Sequence, residues 1–391
     1  MTRNGDRFRL GINYWPRSSG MYAWQAFDIG EWREDFSRIA ALGLEVVRFF
    51  LMWEHVQPGP REVDRIALDQ VAAVMDALAD SGLRGMPTLF CGHMSGVNWL
   101  PAWTLDPRVP HGRFRTITLA GESPFGIGDF YADPALLAAQ RLFCARVAGR
   151  IGAHPALFAW DLGNEFSNLR DPAHPFDARE WSRSLTGALR ARSAAPVTGG
   201  THGEDLERDR RLRLSSLCDP WEFATMHGYS VYSAFARDRL DTNVVPFLFD
   251  LAGSFARKRV LFSEFGNPTC PPGPPPPYAC LNENELADYG ARVLDKLHRA
   301  GALGAMWWCW ADYVPALAAL PPFDRAPHEL TFGIVRADGS FKPIAQCLAA
   351  FAQQRRTVQT VLPRLGDEEA YYRGLPSSTA RAYEEFTACA R

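Results

Sequence analysis

The chain has 391 residues, 47% of them hydrophobic and 22% charged, enough for one large α/β barrel or two medium domains with a sizeable core. A formal net charge of −2 leaves no surplus for a polyanion, so nucleic acid is not an expected partner. No stretch of about 18 apolar residues occurs and MTRNGDRFRLGINYWP lacks the apolar centre of a secretory signal, so the expectation is a cytoplasmic protein with no membrane partner.

Short apolar, β-branched or aromatic runs alternate with longer helical patterns. The predicted strands are FRLGINYW (8–15), EVVRFFLMW (45–53), LRGMPTLF (83–90), ALFAWDLGN (156–164), APVTGG (195–200), FATMHGY (223–229), RVLFSEFG (259–266) and GALGAMWWCW (301–310). Amphipathic stretches at 31–42, 64–81, 134–151, 177–192, 242–257, 283–300 and 342–355 fall between and after them, and the fifth connection, 204–217, is polar and weakly helical. Eight strands with intervening helices predict an α/β fold, a (β/α)8 TIM barrel over 1–355, with 356–391 as a C-terminal helical extension packed on it. The rival is a doubly wound sheet, but NYWPRSSG after the first strand is not a Gly-rich phosphate turn. Long βα loops follow strand 3 (91–132) and strand 7, where NPTCPPGPPPPYAC (267–280) reads as stiff, polyproline-like chain.

The eight cysteines are scattered, and several lie in strand or helix patterns, so reduced thiols are expected; Cys270 and Cys280 bracket the Pro-rich loop and are the one pair placed to bridge. Neither CxxC nor HExxH occurs, so no metal and no cofactor is expected.

In a barrel the active site is built from strand C-terminal ends. Those ends carry Asn13 and Trp15, Arg48 with Trp53 and Glu54 just beyond, His93, Asn164 and Glu165, His227 and Tyr229, Glu264, and Trp308 and Trp310. Glu165 and Glu264 each end an apolar strand, where an unpaired carboxylate would be costly, and strands 4 and 7 face each other across the barrel mouth. Two such carboxylates are what glycoside hydrolysis requires: one acid for the leaving oxygen and one ionised nucleophile or base. Arg48 and the Tyr229 hydroxyl are placed to keep Glu264 ionised, whereas a more apolar setting would raise the pKa of Glu165 and make it the general acid. Asn164 is a candidate for a sugar 2-OH, and Trp308 for the platform under the reacting ring, with Trp310 its alternative.

The ordered set Arg48, His93, Asn164–Glu165, His227-x-Tyr229, Glu264 and a strand-8 Trp resembles glycoside hydrolase family 5, over residues 8–355. The resemblance implies Glu165 as acid/base, Glu264 as nucleophile and retention of configuration. GINYWP, the Asn-Glu pair and MWWCW are most similar to mannan-active members, β-mannosidases included, although WWCW departs from their usual Trp-Ser-Trp. The expected substrate is a β-mannoside or related β-linked oligosaccharide. Exo action is expected, because long loops flank the site. The alternatives are an endo-β-1,4-mannanase or β-glucanase of the same family, a non-catalytic sugar-binding barrel, and a metal-dependent hydrolase. Against the last, the first strand end has no HxH pair.

Overall fold

The computed structural model describes residues 6–389 apart from 272, 275, 360 and 362–365. Eight parallel strands form the barrel: β1 (Arg9–Tyr14), β2 (Val46–Met52), β3 (Arg84–Cys91), β4 (Trp160–Asn164), β5 (Val197–Gly200), β6 (Ala224–His227), β7 (Val260–Phe265) and β8 (Gly304–Trp307). The sheet runs β5-β4-β3-β2-β1-β8-β7-β6. The remaining seam, between β5 and β6, is joined by a parallel bridge between His202 and His227, with the His227 amide donating to Thr201 at 2.9 Å.

The helices are α1 (Ile29–Ala41), α2 (Arg65–Asp80), α3 (Pro134–Ile151), α4 (Pro175–Arg190), α5 (Val244–Ala256), α6 (Glu283–Arg299) and α7 (Pro343–Gln353). Four of them start behind Asp28, Asp64, Asp133 and Asn282, whose side chains accept from first-turn amides that have no partner within the helix. The fifth connection holds only two single turns, Glu204–Glu207 and Leu214–Leu217, as its polar composition predicts.

The barrel interior changes character over one pleat. Val46, Met86, Ala159, Phe223, Leu261 and Met306 form a separate buried cluster that plugs the lower interior. Because side chains two apart in a strand share a face, the next inward layer is Arg48, Thr88, Asp161, Thr225, Ser263 and Trp308. An apolar plug thus supports a polar floor beneath the mouth.

Two connections are more elaborate than their sequences suggest. The β3 connection contains a four-stranded sheet (His93–Met94, Val97–Trp99, Arg115–Thr118, Gly121–Ser123) and a separate two-stranded ribbon. Glu54, just past β2, holds it by accepting from the amides of Ala102 and Leu119 at 3.0 and 2.6 Å. A long connection after β8, not anticipated from sequence, runs to α7 and carries Asp324 and Glu329. Cys270 and Cys280 are joined by a disulfide, so the expectation of reduced thiols is corrected for this pair; the other six cysteines are free.

The C-terminal segment folds as α8 (Glu368–Arg373) and α9 (Ser377–Cys389) and docks on the loops after β5 and β6. Tyr371 and Tyr372 donate to the carbonyls of Leu206 and Asp205 at 3.0 and 2.8 Å, and Tyr383 donates to Asp241 at 2.6 Å. Residues 360, 362–365, 390 and 391 of the expected extension lie outside the described residues.

Lys342 fastens the end of the β8 connection to the barrel. Its buried ammonium donates to Asp312 and to the Thr269 hydroxyl, both at 2.7 Å, and to the Thr331 carbonyl at 3.1 Å. Removing the cation leaves Asp312 buried without its counter-charge. Lys342→Met is therefore expected to cost about 3–5 kcal/mol of unfolding free energy, measured by urea denaturation; a loss within experimental error of zero would refute this account.

Candidate active site

The site is organised around one buried cation. Arg48 is 0% exposed and spends four N–H groups on neighbouring strands: Nε on Asp161 at 2.7 Å, Nη1 on Asn13 at 3.0 Å and Glu264 at 2.5 Å, and Nη2 on Asn164 at 2.8 Å. Asp161 also accepts from Thr88 at 2.6 Å, and the guanidinium lies 4.7 Å from the centre of the Phe50 ring. A buried charge is tolerated only when paired and hydrogen-bonded, and here two carboxylates and two amides meet that demand. Gly200 makes room for it: a Cβ there would lie 2.5 Å from the Gly163 carbonyl and 3.1 Å from both Arg48 Nη2 and His227.

Irregular register turns the tips toward the mouth. The pairings shift within β4 between Asp161 and Asn164, at Met226–His227 in β6 and between Phe262 and Phe265 in β7. Such bulges re-aim side chains, and these three strands carry Asn164–Glu165, His227 and Glu264. Glu165 has left-handed backbone (φ 46°, ψ 49°), sparsely populated by non-glycine residues, and its amide is held by the Gly200 carbonyl at 2.9 Å.

Both carboxylates are well served by donors. Glu264 accepts from Arg48 on one oxygen and from the Tyr229 hydroxyl on the other at 2.7 Å. Glu165 accepts from His227 Nδ1 at 3.1 Å and from Asn168 at 3.3 Å, while His202 and His93 stand 3.8 and 3.9 Å away. His227 also lies 3.5 Å from Glu264, so it stands between the two acids. One atom each of Glu165, His227 and Glu264 lies within 4.8 Å of the other two. These atoms could ligate a cation, but the Arg48 guanidinium already occupies Glu264.

The expectation that an apolar setting raises the pKa of Glu165 is corrected. Burial does push it up, but His202, His227 and His93 outweigh burial and hold the carboxyl below its usual range. His202 is the principal cation. Burial opposes its charge, yet Asp205 and Glu165 raise it to about 9. His93 is its opposite: burial lowers it to about 4, leaving a neutral ring at neutral pH whose Nδ1 is 2.8 Å from Asn98.

A cavity of about 1150 Å³ opens over these groups. His93, Asn164, Glu165, His227, Tyr229, Glu264 and Trp308 all line it, whereas Asn13, Trp15 and Trp310 do not. Asn13 donates to the carbonyls of Ser263 and Trp307 and accepts from Arg48, so its polar atoms are spent inside the floor. Trp15 is stacked on Phe50 beneath the site, and Trp310 is fully buried beside Phe341. Of the two strand-8 candidates, Trp308 is therefore the ring available to a sugar. Arg48 touches the chemistry through Glu264.

Residues that sequence reasoning missed complete the wall. Among them are His202, Tyr232 and Glu329, and Tyr372, Pro376 and Ala380 of the C-terminal segment. His202 directly follows β5, so the strand-end rule that found the others would have found it had the strand been followed two residues further. Glu329 and the C-terminal residues lie in no strand pattern and gave no such signal.

An eight-stranded (β/α)8 barrel with paired carboxylates at the tips of β4 and β7 is the arrangement found in (β/α)8 glycoside hydrolases. No protein-family model and no curated protein matches the chain. Among solved structures, it is similar to the exo-β-1,4-mannosidase Op5Man5 from Opitutaceae bacterium strain TAV5, with 28% identity, a TM-score of 0.74, and coverage of 89% of this chain and 59% of that one. The chain thus spans about three-fifths of the length of Op5Man5. It is also similar to GH5_18 from Streptomyces cattleya in complex with GlcNAc (21% identity, 98% and 90% covered, TM-score 0.80). A third is GH5_18 from Bifidobacterium longum subsp. infantis (22% identity, 90% and 80% covered, TM-score 0.74). The fold is that of the mannosidase-like glycoside hydrolases of family 5.

Replacing the candidate nucleophile isolates its role. Glu264→Gln keeps the hydrogen-bonding shape beside Tyr229 but cannot form a glycosyl ester, so turnover of an aryl β-glycoside is expected to fall about 10⁴-fold or more. Retained hydrolysis would show that the carboxylates do not act as assigned.

Proposed function

We propose that the chain is a retaining exo-β-mannosidase that releases mannose from the non-reducing end of short β-linked oligosaccharides. The observation that carries the retaining mechanism is the spacing of the two acids, whose oxygens approach within 4.8 Å. Double displacement uses carboxyl groups about 5–5.5 Å apart, whereas inversion leaves about 6.5–9.5 Å for an intervening water.

The roles follow from the surroundings. Glu264, oriented by Arg48 and Tyr229, attacks the anomeric carbon while Glu165 protonates the departing oxygen. Water activated by Glu165 then cleaves the glycosyl ester. Trp308 offers a face to the reacting ring, and Asn164, whose amide donates to the His93 carbonyl at 2.8 Å, lines the same cavity and is placed to donate to a hydroxyl.

Exo action is supported by a roof over one side of the mouth. The β3 and β8 connections are tied by Ser95 to Glu329 at 2.9 Å, Arg115 to Asp324 at 2.8 Å and Arg325 to Glu122 at 3.5 Å. These ties join the two connections beside the mouth, which supports a closed end for the substrate on that side. The opposite wall, near Glu165, is formed by the loop after β5 and the C-terminal helices, and it receives the leaving group. Mannose is supported by similarity to Op5Man5, named for mannosidase activity, and to a GH5_18 variant from Streptomyces cattleya in complex with Manβ1-4GlcNAc.

Two assays test the reading. In a panel of aryl β-glycosides (mannoside, glucoside, galactoside, xyloside, fucoside), the mannoside is expected to give the highest kcat/KM. A mannopentaose time course should release mannose from the outset. Preference for another sugar would overturn the specificity, and internal cuts without early mannose would overturn the exo mode.

A further inference from the structure

His202 is positioned by the seam that closes the barrel. Its backbone bridges His227, and the Gly203 amide donates to the His227 carbonyl at 2.9 Å, which fixes the imidazole beside Glu165. The ring is 2.9 Å through Nε2 from the Ser167 hydroxyl and 3.4 Å from Asp205 Oδ1. Ser167 donates its own proton to Asp205 at 2.6 Å, so its oxygen accepts from His202 and Nε2 carries hydrogen. Asp205 Oδ2 accepts from the His202 amide at 3.0 Å, completing the clamp. Nδ1 is thereby aimed at Glu165 Oε2, 3.8 Å away.

Resting on the glycosidase reading, we infer that Asp205, Ser167 and His202 form a relay that stores the proton Glu165 delivers to the leaving oxygen, with His202 as a positioning residue. In the free enzyme the proton resides on His202 Nδ1 and Glu165 is ionised. As the glycosidic bond breaks, His202 Nδ1 and Glu165 close from 3.8 Å to hydrogen-bonding distance, the proton passes from Nδ1 to Glu165 and from Glu165 to the leaving oxygen, and Glu264 bonds to the anomeric carbon. In the second half, water gives its hydroxyl to that carbon and its proton to Glu165, the ester to Glu264 breaks, and the proton returns to Nδ1. One water is consumed and no proton is gained or lost.

The charges around the pair agree with this assignment. Burial alone would neutralise His202, but Asp205 and Glu165 raise it to about 9, and the same contacts hold Asp205 and Glu165 low. Glu204 and Glu207 of the following turn add negative charge. Arg210, which donates to the Ser167 carbonyl at 2.5 Å, and buried Tyr131 face Asp205 from the other side. His93, neutral at neutral pH, and His227 complete the surroundings of Glu165.

The relay makes a leaving-group prediction that a structural role does not. A dinitrophenyl β-mannoside departs without protonation, whereas a β-mannosyl disaccharide requires it. In His202→Gln the loss of kcat/KM on the disaccharide is expected to be about 10²-fold or more, and roughly ten times the loss on the dinitrophenyl substrate. The disaccharide's alkaline limb should also fall by about one pH unit or more, because the pair no longer holds its proton up to about 9. Asp205→Asn, which keeps the shape of the clamp, should move the same limb in the same direction, and it supplies the readout if His202→Gln does not fold. Equal losses on both substrates with an unshifted limb would overturn the relay while leaving the glycosidase reading intact. A wild type inactive on both mannosides would overturn the two together.

Discussion

The mouth of this barrel depends on a guanidinium that water cannot reach. Burying Arg48 is unfavourable by several kcal/mol unless its charge and donors are satisfied. The protein meets that demand with Asn13 of β1, Asp161 and Asn164 of β4 and Glu264 of β7. One of these groups is Glu264, so the proposed nucleophile is also a counter-ion whose position is set by the fold. Orientation and charge compensation come from one contact, which is how a rigid element holds a reacting atom more accurately than a loop does.

The two acids share a cavity yet sit in different company. Glu264 faces a permanently charged partner and a phenol. Glu165 faces three imidazoles, two of them of opposite character: His93 emptied of its proton by burial and His202 holding one against it. A fixed cation beside it suits the role proposed for Glu264. Titratable neighbours suit a group that must take up and release a proton in each cycle.

Much of this was legible in the sequence because barrel strands are buried on both faces and read as continuous apolar runs. A carboxylate at the tip of such a run, as in WDLGNE and LFSEFG, has few innocent explanations. The strand-end rule found Glu165, Glu264, His227 and Tyr229 for that reason. It also collected Asn13, Trp15 and Trp310, since a sequence shows that a residue is near the mouth but not whether its polar atoms are already spent on the floor below. It stopped short of His202 because β5 is only four residues long and its tip is defined by the seam with β6, a contact between distant segments. Glu165 was misjudged for a related reason: its pKa is set by three histidines from separate parts of the chain, and no local window contains them.

What encloses the site is the least local feature of all. Ser95 and Glu329, which tie the roof, are 234 residues apart, and Tyr372 meets Asp205 across 167. Neither segment has a periodicity that would announce it, because each is ordered by what it touches. The catalytic floor lies within the barrel strands, where apolar periodicity and strand-end chemistry coincide. The walls that decide how much sugar fits are built from loops and the chain's end, where single hydrogen bonds and ion pairs fix the geometry. In such a molecule the polar floor is set by the barrel, and the walls reach it at few points: Asn164 donates to the His93 carbonyl and Tyr229 to Glu264.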